Sequence, residues 1–182
     1  MIVALAGRRI DAADAARPRF PAASLAVVES RIDAALRAAG VSALVCAAAC
    51  GADLIALGVA RRRGIAAWIV LPFAAAAFRR TSVVDRGDRW GAAFDAAVAA
   101  AQAQGRLQLL GLAADDDQAY FATNAAIVER ALALGGGDPA ETLAIAVWDG
   151  PLDERTDYTA DFVAAARRRD VPVRSIPILS RG

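Results

Sequence analysis

The sequence predicts an α/β domain with a doubly wound, mostly parallel sheet and helices on both of its faces. Short apolar runs alternate with longer segments of helical spacing along the 182 residues, which is the pattern of repeated strand–helix–strand units. Crossovers between parallel strands are almost always right-handed, so such units build one layered sheet. The chain contains no internal repeat, linker or low-complexity segment, and we expect residues 1–182 to form a single domain.

Each predicted element is bounded by residues that favour its start or its end. Gly7 ends the first strand, Pro72 follows the third, and Gly40 and Gly64 are expected C-caps of the first two helices. Asp88 is expected to be the N-cap of the fourth helix. The predicted strands are residues 2–6, 43–46, 66–71, 107–110, 143–148 and 171–176. The predicted helices are residues 22–39, 51–63, 74–80, 89–104, 118–134 and 158–169.

The charge and hydropathy of the chain predict its compartment and limit its partners. With 57% hydrophobic residues, 23% charged residues and a formal net charge of +1, it has no strongly basic field that would indicate nucleic acid or an anionic membrane surface. Charged residues or glycine interrupt its apolar stretches before the roughly 20 residues that span a bilayer. The first strand begins at Ile2, so we expect no signal peptide. The sequence therefore predicts a cytoplasmic protein without membrane or nucleic-acid partners.

Two residue types are absent, and this narrows the possible chemistry. The chain has no histidine, and all of its 21 basic residues are arginine. This excludes histidine acid–base catalysis, triads that use histidine, lysine Schiff bases and the Walker lysine. Cys46 and Cys50 without histidine make a poor metal site, and we expect buried or turn thiols in preference to a redox pair. No metal and no cofactor are predicted.

The first candidate loop follows the first strand and reads Gly7-Arg8-Arg9-Ile10-Asp11. Ligands of parallel α/β sheets bind beyond the carboxyl ends of the strands, so this loop lies at the expected edge. Two guanidinium groups there could clamp an anion. The alternative is a solvated basic turn in which Asp11 is the local partner of the arginines.

The second candidate loop joins a strand to a helix through small residues. Ala48, Cys50, Gly51 and Ala52 leave room for a ligand near the helix N-terminus, where free amides and the helix dipole attract phosphate. Asp53 would repel a phosphate, but it could cap the helix or hold a sugar hydroxyl. The alternative is that alanine is merely abundant in this chain.

Later loops add groups that suit a base or a ribose. Pro72 and Phe73 follow the third strand, where the ring could stack on a base or simply cover the edge of the sheet. Tyr120, Thr123 and Asn124, near the start of the fifth helix, could donate or accept a hydrogen bond with a ribose or phosphate. The alternative is that the acidic residues 115–117 before that helix only favour its dipole.

The last candidate loops supply carboxylates at the same edge. Asp149 and Gly150 end the fifth strand, and Thr159 and Asp161 open the last helix. Asp149 and Asp161 are the candidate catalytic residues, with Glu141 as a further acid–base candidate, if the protein is an enzyme.

Several short motifs occur in an order that resembles a known superfamily. They are Gly-Arg-Arg-Ile-Asp at 7–11, Pro-Arg-Phe-Pro at 18–21, Ala-Ala-Cys-Gly-Ala-Asp-Leu at 48–54, Leu-Pro-Phe at 71–73 with Phe78 and Ser82-Val83, Gly-Asp-Arg-Trp at 87–90 and Trp-Asp-Gly at 148–150. The series resembles the SLOG superfamily, the Rossmann-like domains named after the Smf DNA-processing protein and the LOG phosphoribohydrolases. It is most similar to regulator-type members with loops that read Gly-His-Arg-Ile-Asp and Ser-Ala-x-x-Gly-Ala-Asp.

The resemblance implies a sensor or regulatory domain that binds a nucleotide-derived ligand of the nucleotide-sugar, cyclic nucleotide or ADP-ribose type. The site residues that it implies are Gly7, Arg9, Asp11, Ala48, Gly51, Ala52, Asp53, Trp148, Asp149 and Gly150. Members of the superfamily often pair, and the apolar segment 91–103 could form a homodimer face. A domain kept only for oligomerisation is a further alternative.

The chain also departs from the family pattern. Arg8 stands where these members usually have histidine, and the LOG motif Pro-Gly-Gly-x-Gly-Thr-x-x-Glu is missing. The counterpart of Gly-Gly-Thr-Ala-Asp reads Asp157-Tyr158-Thr159-Ala160-Asp161, which places a charge and a ring where a phosphate would approach. We therefore expect binding without turnover, the alternative being a hydrolase that cleaves an N-glycosidic or phosphate bond.

Overall fold

In the computed structural model, which describes residues 1–114, 116–151 and 157–179, parallel strands form one six-stranded sheet. The strands are β1 (Ile2–Gly7), β2 (Ala43–Cys46), β3 (Ala66–Leu71), β4 (Leu107–Leu109), β5 (Thr142–Val147) and β6 (Val173–Ile176). Their order across the sheet is β4-β3-β2-β1-β5-β6, and every neighbouring pair is parallel. This confirms the predicted doubly wound α/β fold.

The helices divide between the two faces of the sheet. They are α1 (Leu25–Ala38), α2 (Ala52–Arg63), α3 (Ala75–Ser82), α4 (Gly91–Ala103), α5 (Gln118–Leu134) and α6 (Tyr158–Arg167). Residues of α1 to α4 pack in one hydrophobic core, and residues of α5 and α6 pack in another. No helix within the described residues is long and apolar enough to cross a lipid bilayer.

The central strands are apolar on both faces, as a covered parallel sheet requires. Successive side chains of a strand point to opposite faces. In β1, Val3 and Leu5 belong to the core beneath α1 to α4, whereas Ala4 belongs to the core beneath α5 and α6. All three side chains are fully buried, so β1 forms the centre of both cores.

The start of α4 differs from the prediction. Asp88 is not its N-cap: Asp88–Trp90 forms a short 3-10 turn, and α4 begins at Gly91 without a side-chain cap. Trp90, in this turn, and Phe94, in α4, are both buried.

The last strand is shorter than predicted and begins at Val173. The amide of Val171 donates to the Ala166 carbonyl (3.1 Å) and so closes the end of α6. Pro172 has no amide hydrogen to give to the sheet. The two residues therefore finish the helix and turn the chain before the strand starts.

Candidate functional site

A cavity of about 460 Å³ opens at the carboxyl ends of β1 and β2. We call it the site cavity. The strands β1 and β5 are neighbours in the sheet. The helix that follows β1, α1, packs on one face of the sheet, and the helix that follows β5, α6, packs on the other face. This divergence is the topological switch point, where open α/β sheets bind their ligands. The volume lies within the range of small-molecule sites, about 300–1,000 Å³.

The structure brings about half of the predicted site residues to this cavity. Those in its wall are Gly7, Arg8, Arg9, Asp11, Asp53, Tyr120, Thr123, Asn124 and Thr159. Those outside its wall are Ala48, Cys50, Gly51, Ala52, Pro72, Phe73, Trp148, Asp149, Gly150 and Asp161.

Arg8 joins the first loop, residues 8–21, to the start of α6. Its Nη2 donates to the carboxylate of Asp157 (2.9 Å) and lies 3.4 Å from the carbonyl oxygen of Gly150. The Asp157 side chain is almost fully buried in this pair, and it also caps α6 by accepting from the Ala160 amide (3.0 Å). Arg8 and Asp157, which both depart from the pattern of the SLOG superfamily, therefore form an ion pair with each other.

Arg9 joins the first loop to the segment after α3. Its guanidinium donates to the Asp85 carboxylate, while its Nε is buried and has no hydrogen-bond partner among the described residues. The alternative, in which Asp11 is the local partner of the arginines, is not found among the described residues. Asp11 instead accepts from the backbone amides of Arg19 and Phe20, both at 2.8 Å, and this shapes the first loop.

The small residues of the second loop lie beneath the first loop. Gly51 has a φ of +106° and a ψ of −126°, and a Cβ there would lie 2.7 Å from the Ile10 nitrogen and 2.8 Å from the Arg8 oxygen. The amide of Ala52 donates to the Arg8 carbonyl (3.2 Å). The side chains of this turn are therefore small because the backbone of the first loop lies against them. The sequence analysis predicted a different reason, the approach of a phosphate.

Asp53 is the buried carboxyl of the site cavity. It is 5% exposed, its Oδ2 accepts from the Ala49 amide (3.2 Å), and its Oδ1 has no partner among the described residues. Burial raises the pKa of Asp53 to about 7, against the opposing effects of the Ala49 amide and the charge of Arg9. Asp53 does not cap α2 in the expected way, because its bond goes back to a residue before the helix.

Aromatic side chains also line the site cavity. The rings of Tyr120 and Tyr158 lie 5.2 Å apart between centroids, and the Tyr120 hydroxyl lies 3.3 Å from the hydroxyl of Ser82. Burial, and then the negative charge of Asp117, raise the pKa of Tyr158. The wall thus offers aromatic surface with polar edges. Asp115, the first of the acidic residues before α5, lies outside the described residues.

Asn124 and Phe73 have structural partners. Asn124 Nδ2 donates to the Tyr158 carbonyl (2.8 Å) and to the Asp161 carboxylate (3.0 Å), which ties α5 to the start of α6. Phe73 is 4% exposed and packs edge-on against Tyr120, with ring centroids 6.1 Å apart. Of the two roles considered for Phe73, the structure favours packing.

The remaining candidate carboxylates lie away from the cavity. Asp149 accepts from the amides of Ile178 (2.9 Å) and Leu179 (3.2 Å) and so holds the chain after β6. Glu141 lies in a 3-10 turn that precedes β5, at the amino edge of the sheet and opposite the cavity. Neither residue shares a wall with Asp53.

The two cysteines are buried and form no disulfide. Burial raises the pKa of both thiols, so neither has the lowered pKa of a reactive cysteine. Among the residues that the structure describes, no group of three Cys, Asp or Glu side chains is arranged to hold a metal ion.

Several residues of the cavity wall were not predicted as site residues, and those with a guanidinium or hydroxyl group include Arg19, Ser82, Arg86 and Tyr158. Arg19 belongs to the Pro-Arg-Phe-Pro motif, which could have indicated it. Tyr158 was predicted only as a ring that stands where a phosphate would approach. Ser82, the last residue of α3, belongs to the motif series, whereas no pattern in the sequence marks Arg86 in the turn that follows.

Comparison of the chain with models of known protein families finds no match, and a search among curated proteins finds no significant match. The SLOG resemblance therefore stays a prediction.

Proposed function

We propose that the site cavity binds a nucleotide or a nucleotide-derived molecule, and that the protein is a sensor or regulatory domain. The observation that carries this proposal is the combination, in one cavity at the switch point, of arginines, tyrosine rings and a buried carboxyl. These groups match the phosphate, the base and the hydroxyl or amino groups of such a ligand.

Arg19 is the arginine best suited to bind the anionic group. Arg8 and Arg9 pair with Asp157 and Asp85, whereas the Arg19 side chain has no ion-pair or hydrogen-bond partner among the described residues. An unpaired guanidinium at a cavity wall keeps its full capacity for a bidentate phosphate bond.

The hydrolase alternative has weaker support. Asp149 and Asp161, its candidate catalytic residues, hold backbone amides and the Asn124 amide, respectively. Chromatography of nucleoside monophosphates, cyclic dinucleotides, NAD and ADP-ribose after incubation with the protein should return them unchanged. Free base or ribose phosphate, formed at a rate that Asp149→Asn or Asp161→Asn abolishes, would instead establish the hydrolase.

We expect AMP or ADP-ribose to raise the Tm of the wild-type protein, and Arg19→Ala to remove about half of the increase or more. A ligand at 100 times its Kd adds about 2.7 kcal/mol to the free energy of unfolding, which is roughly 5–10 °C for a domain of this size. Loss of a charged hydrogen bond should weaken binding about tenfold or more. Differential scanning fluorimetry and calorimetric titration measure the two effects.

Arg17→Ala is the matched control for this experiment. Arg17 is an exposed arginine of the same loop, but it is not part of the cavity wall. Equal loss of binding in both variants would indicate a general charge effect. The proposal fails if neither nucleotide changes the Tm of the wild type.

A further inference from the structure

The Oδ1 atom of Asp53 is an unused hydrogen-bond acceptor in the wall of the site cavity. The side chain is 5% exposed, and only Oδ2 has a partner, the Ala49 amide. Buried polar atoms are paired in the great majority of cases, so an unpaired one in a cavity indicates a missing partner. The cavity is large enough for that partner to be a ligand.

The nearest cation does not supply the missing bond. Arg9 attracts the Asp53 carboxylate electrostatically, but its terminal nitrogen binds Asp85 and its Nε has no partner within the described residues. The other titratable group that faces Asp53 is the Cys46 thiol on β2. The further titratable groups of the cavity wall are Arg8, Asp11, Arg19, Arg86, Tyr120 and Tyr158.

We infer that Asp53 Oδ1 accepts a hydrogen bond from a hydroxyl or amino group of the ligand, and that binding releases the proton of this carboxyl to solvent. The inference rests on the proposed function and specifies which part of the ligand the buried acid recognises. A ligand donor needs an acceptor lone pair, and ionised carboxylates accept the stronger bond. Binding therefore selects the ionised protein.

This selection makes affinity depend on pH. Because burial raises the pKa of Asp53 to about 7, most molecules carry the proton at pH 6 and few carry it at pH 8. A ligand that binds only the ionised form should bind about tenfold more tightly at pH 8 than at pH 6.

The test uses AMP as the probe, titrated calorimetrically at pH 6, 7 and 8 into the wild type and Asp53→Asn. The substitution keeps the shape and the bond from Ala49 but presents an amide donor where Oδ1 was. We expect AMP to bind the variant at least tenfold more weakly at pH 8. The phosphate of AMP itself titrates near pH 6, so the contribution of Asp53 is the difference between the two proteins. At pH 7, buffers of different ionisation enthalpy measure the released proton.

Two analogues identify the donor in the wild-type protein, without any variant. 2′,3′-Dideoxy-AMP lacks the ribose hydroxyls, and purine riboside monophosphate lacks the amino group. We expect one of them to bind more weakly than AMP and with a smaller change between pH 6 and pH 8. Equal affinity and equal pH dependence of all three probes would overturn the inference.

The outcomes separate this inference from the proposed function. If AMP binding depends on Arg19 but is unchanged or tighter in Asp53→Asn, the inference fails and the proposed function stands. If the wild type binds neither AMP nor ADP-ribose, both fail.

Discussion

The Asp53→Asn variant should be markedly more stable than the wild type at pH 8, and this advantage should disappear toward pH 4. Burial raises the pKa of Asp53 to about 7 in the folded protein, against about 3.9 in the unfolded chain. Between these values the folded state keeps a proton that the unfolded state has lost, so the free energy of unfolding of the wild type falls as pH rises. Three pKa units correspond to about 4 kcal/mol.

Urea unfolding of both proteins at pH 4.5, 6 and 8 measures this difference. Asparagine does not titrate, so any packing difference that it introduces is the same at each pH. Asp14→Asn is the control, because Asp14 is exposed and has no hydrogen bond or ion pair among the described residues. If the stability difference between Asp53→Asn and the wild type is the same at pH 4.5 and pH 8, Asp53 does not titrate near neutrality in the folded protein.

Asp53 is a buried acid that lowers the free energy of unfolding at neutral pH, which is expected of a residue that serves ligand binding. Substitutions that raise stability commonly reduce function when they remove a strained or desolvated group from a site. Asp53→Asn should therefore raise stability and weaken AMP binding at the same pH. A residue kept only for packing has no reason to show both effects.

The fold was predictable because its elements depend on local patterns. The predicted bounds of β2, β3 and α5 agree with the structure, since apolar runs with glycine, proline or polar neighbours mark both ends of each element. Where the prediction was wrong, as at Asp88 and the start of β6, the deciding hydrogen bonds belong to turns between elements. Such bonds leave little trace in hydropathy.

The site was only partly predictable because its side chains pair over long distances in sequence. The sequence placed Arg8 and Arg9 at the ligand edge, but their partners Asp157 and Asp85 are 149 and 76 residues away. Arg86 also pairs with Asp85, so Arg19 is the arginine of the cavity wall that has no partner among the described residues. Burial likewise decides the role of Asp53, and a residue's depth follows from the packing of several elements at once.

Gly51→Ala should destabilise the protein by about 2–6 kcal/mol. The φ of +106° and ψ of −126° lie in a region that is essentially restricted to glycine, which costs another residue about 1–3 kcal/mol. The new Cβ would also lie 2.7 Å from the Ile10 nitrogen and 2.8 Å from the Arg8 oxygen, so the first loop would have to move. Overpacking of this kind adds about 1–3 kcal/mol. The Tm should fall by roughly 10 °C.

Gly40→Ala is the matched control for Gly51→Ala, because it separates the cost of backbone strain from the cost of the steric clash with the first loop. Gly40 also has a positive φ, +57°, but a Cβ there meets nothing within 4 Å, so its loss should cost only about 1 kcal/mol. Thermal unfolding without any ligand compares the two variants. If Gly51→Ala lowers the Tm no more than Gly40→Ala does, the first loop does not restrict the side chain at position 51. The original explanation, in which the turn is small to admit a ligand, would then be favoured again.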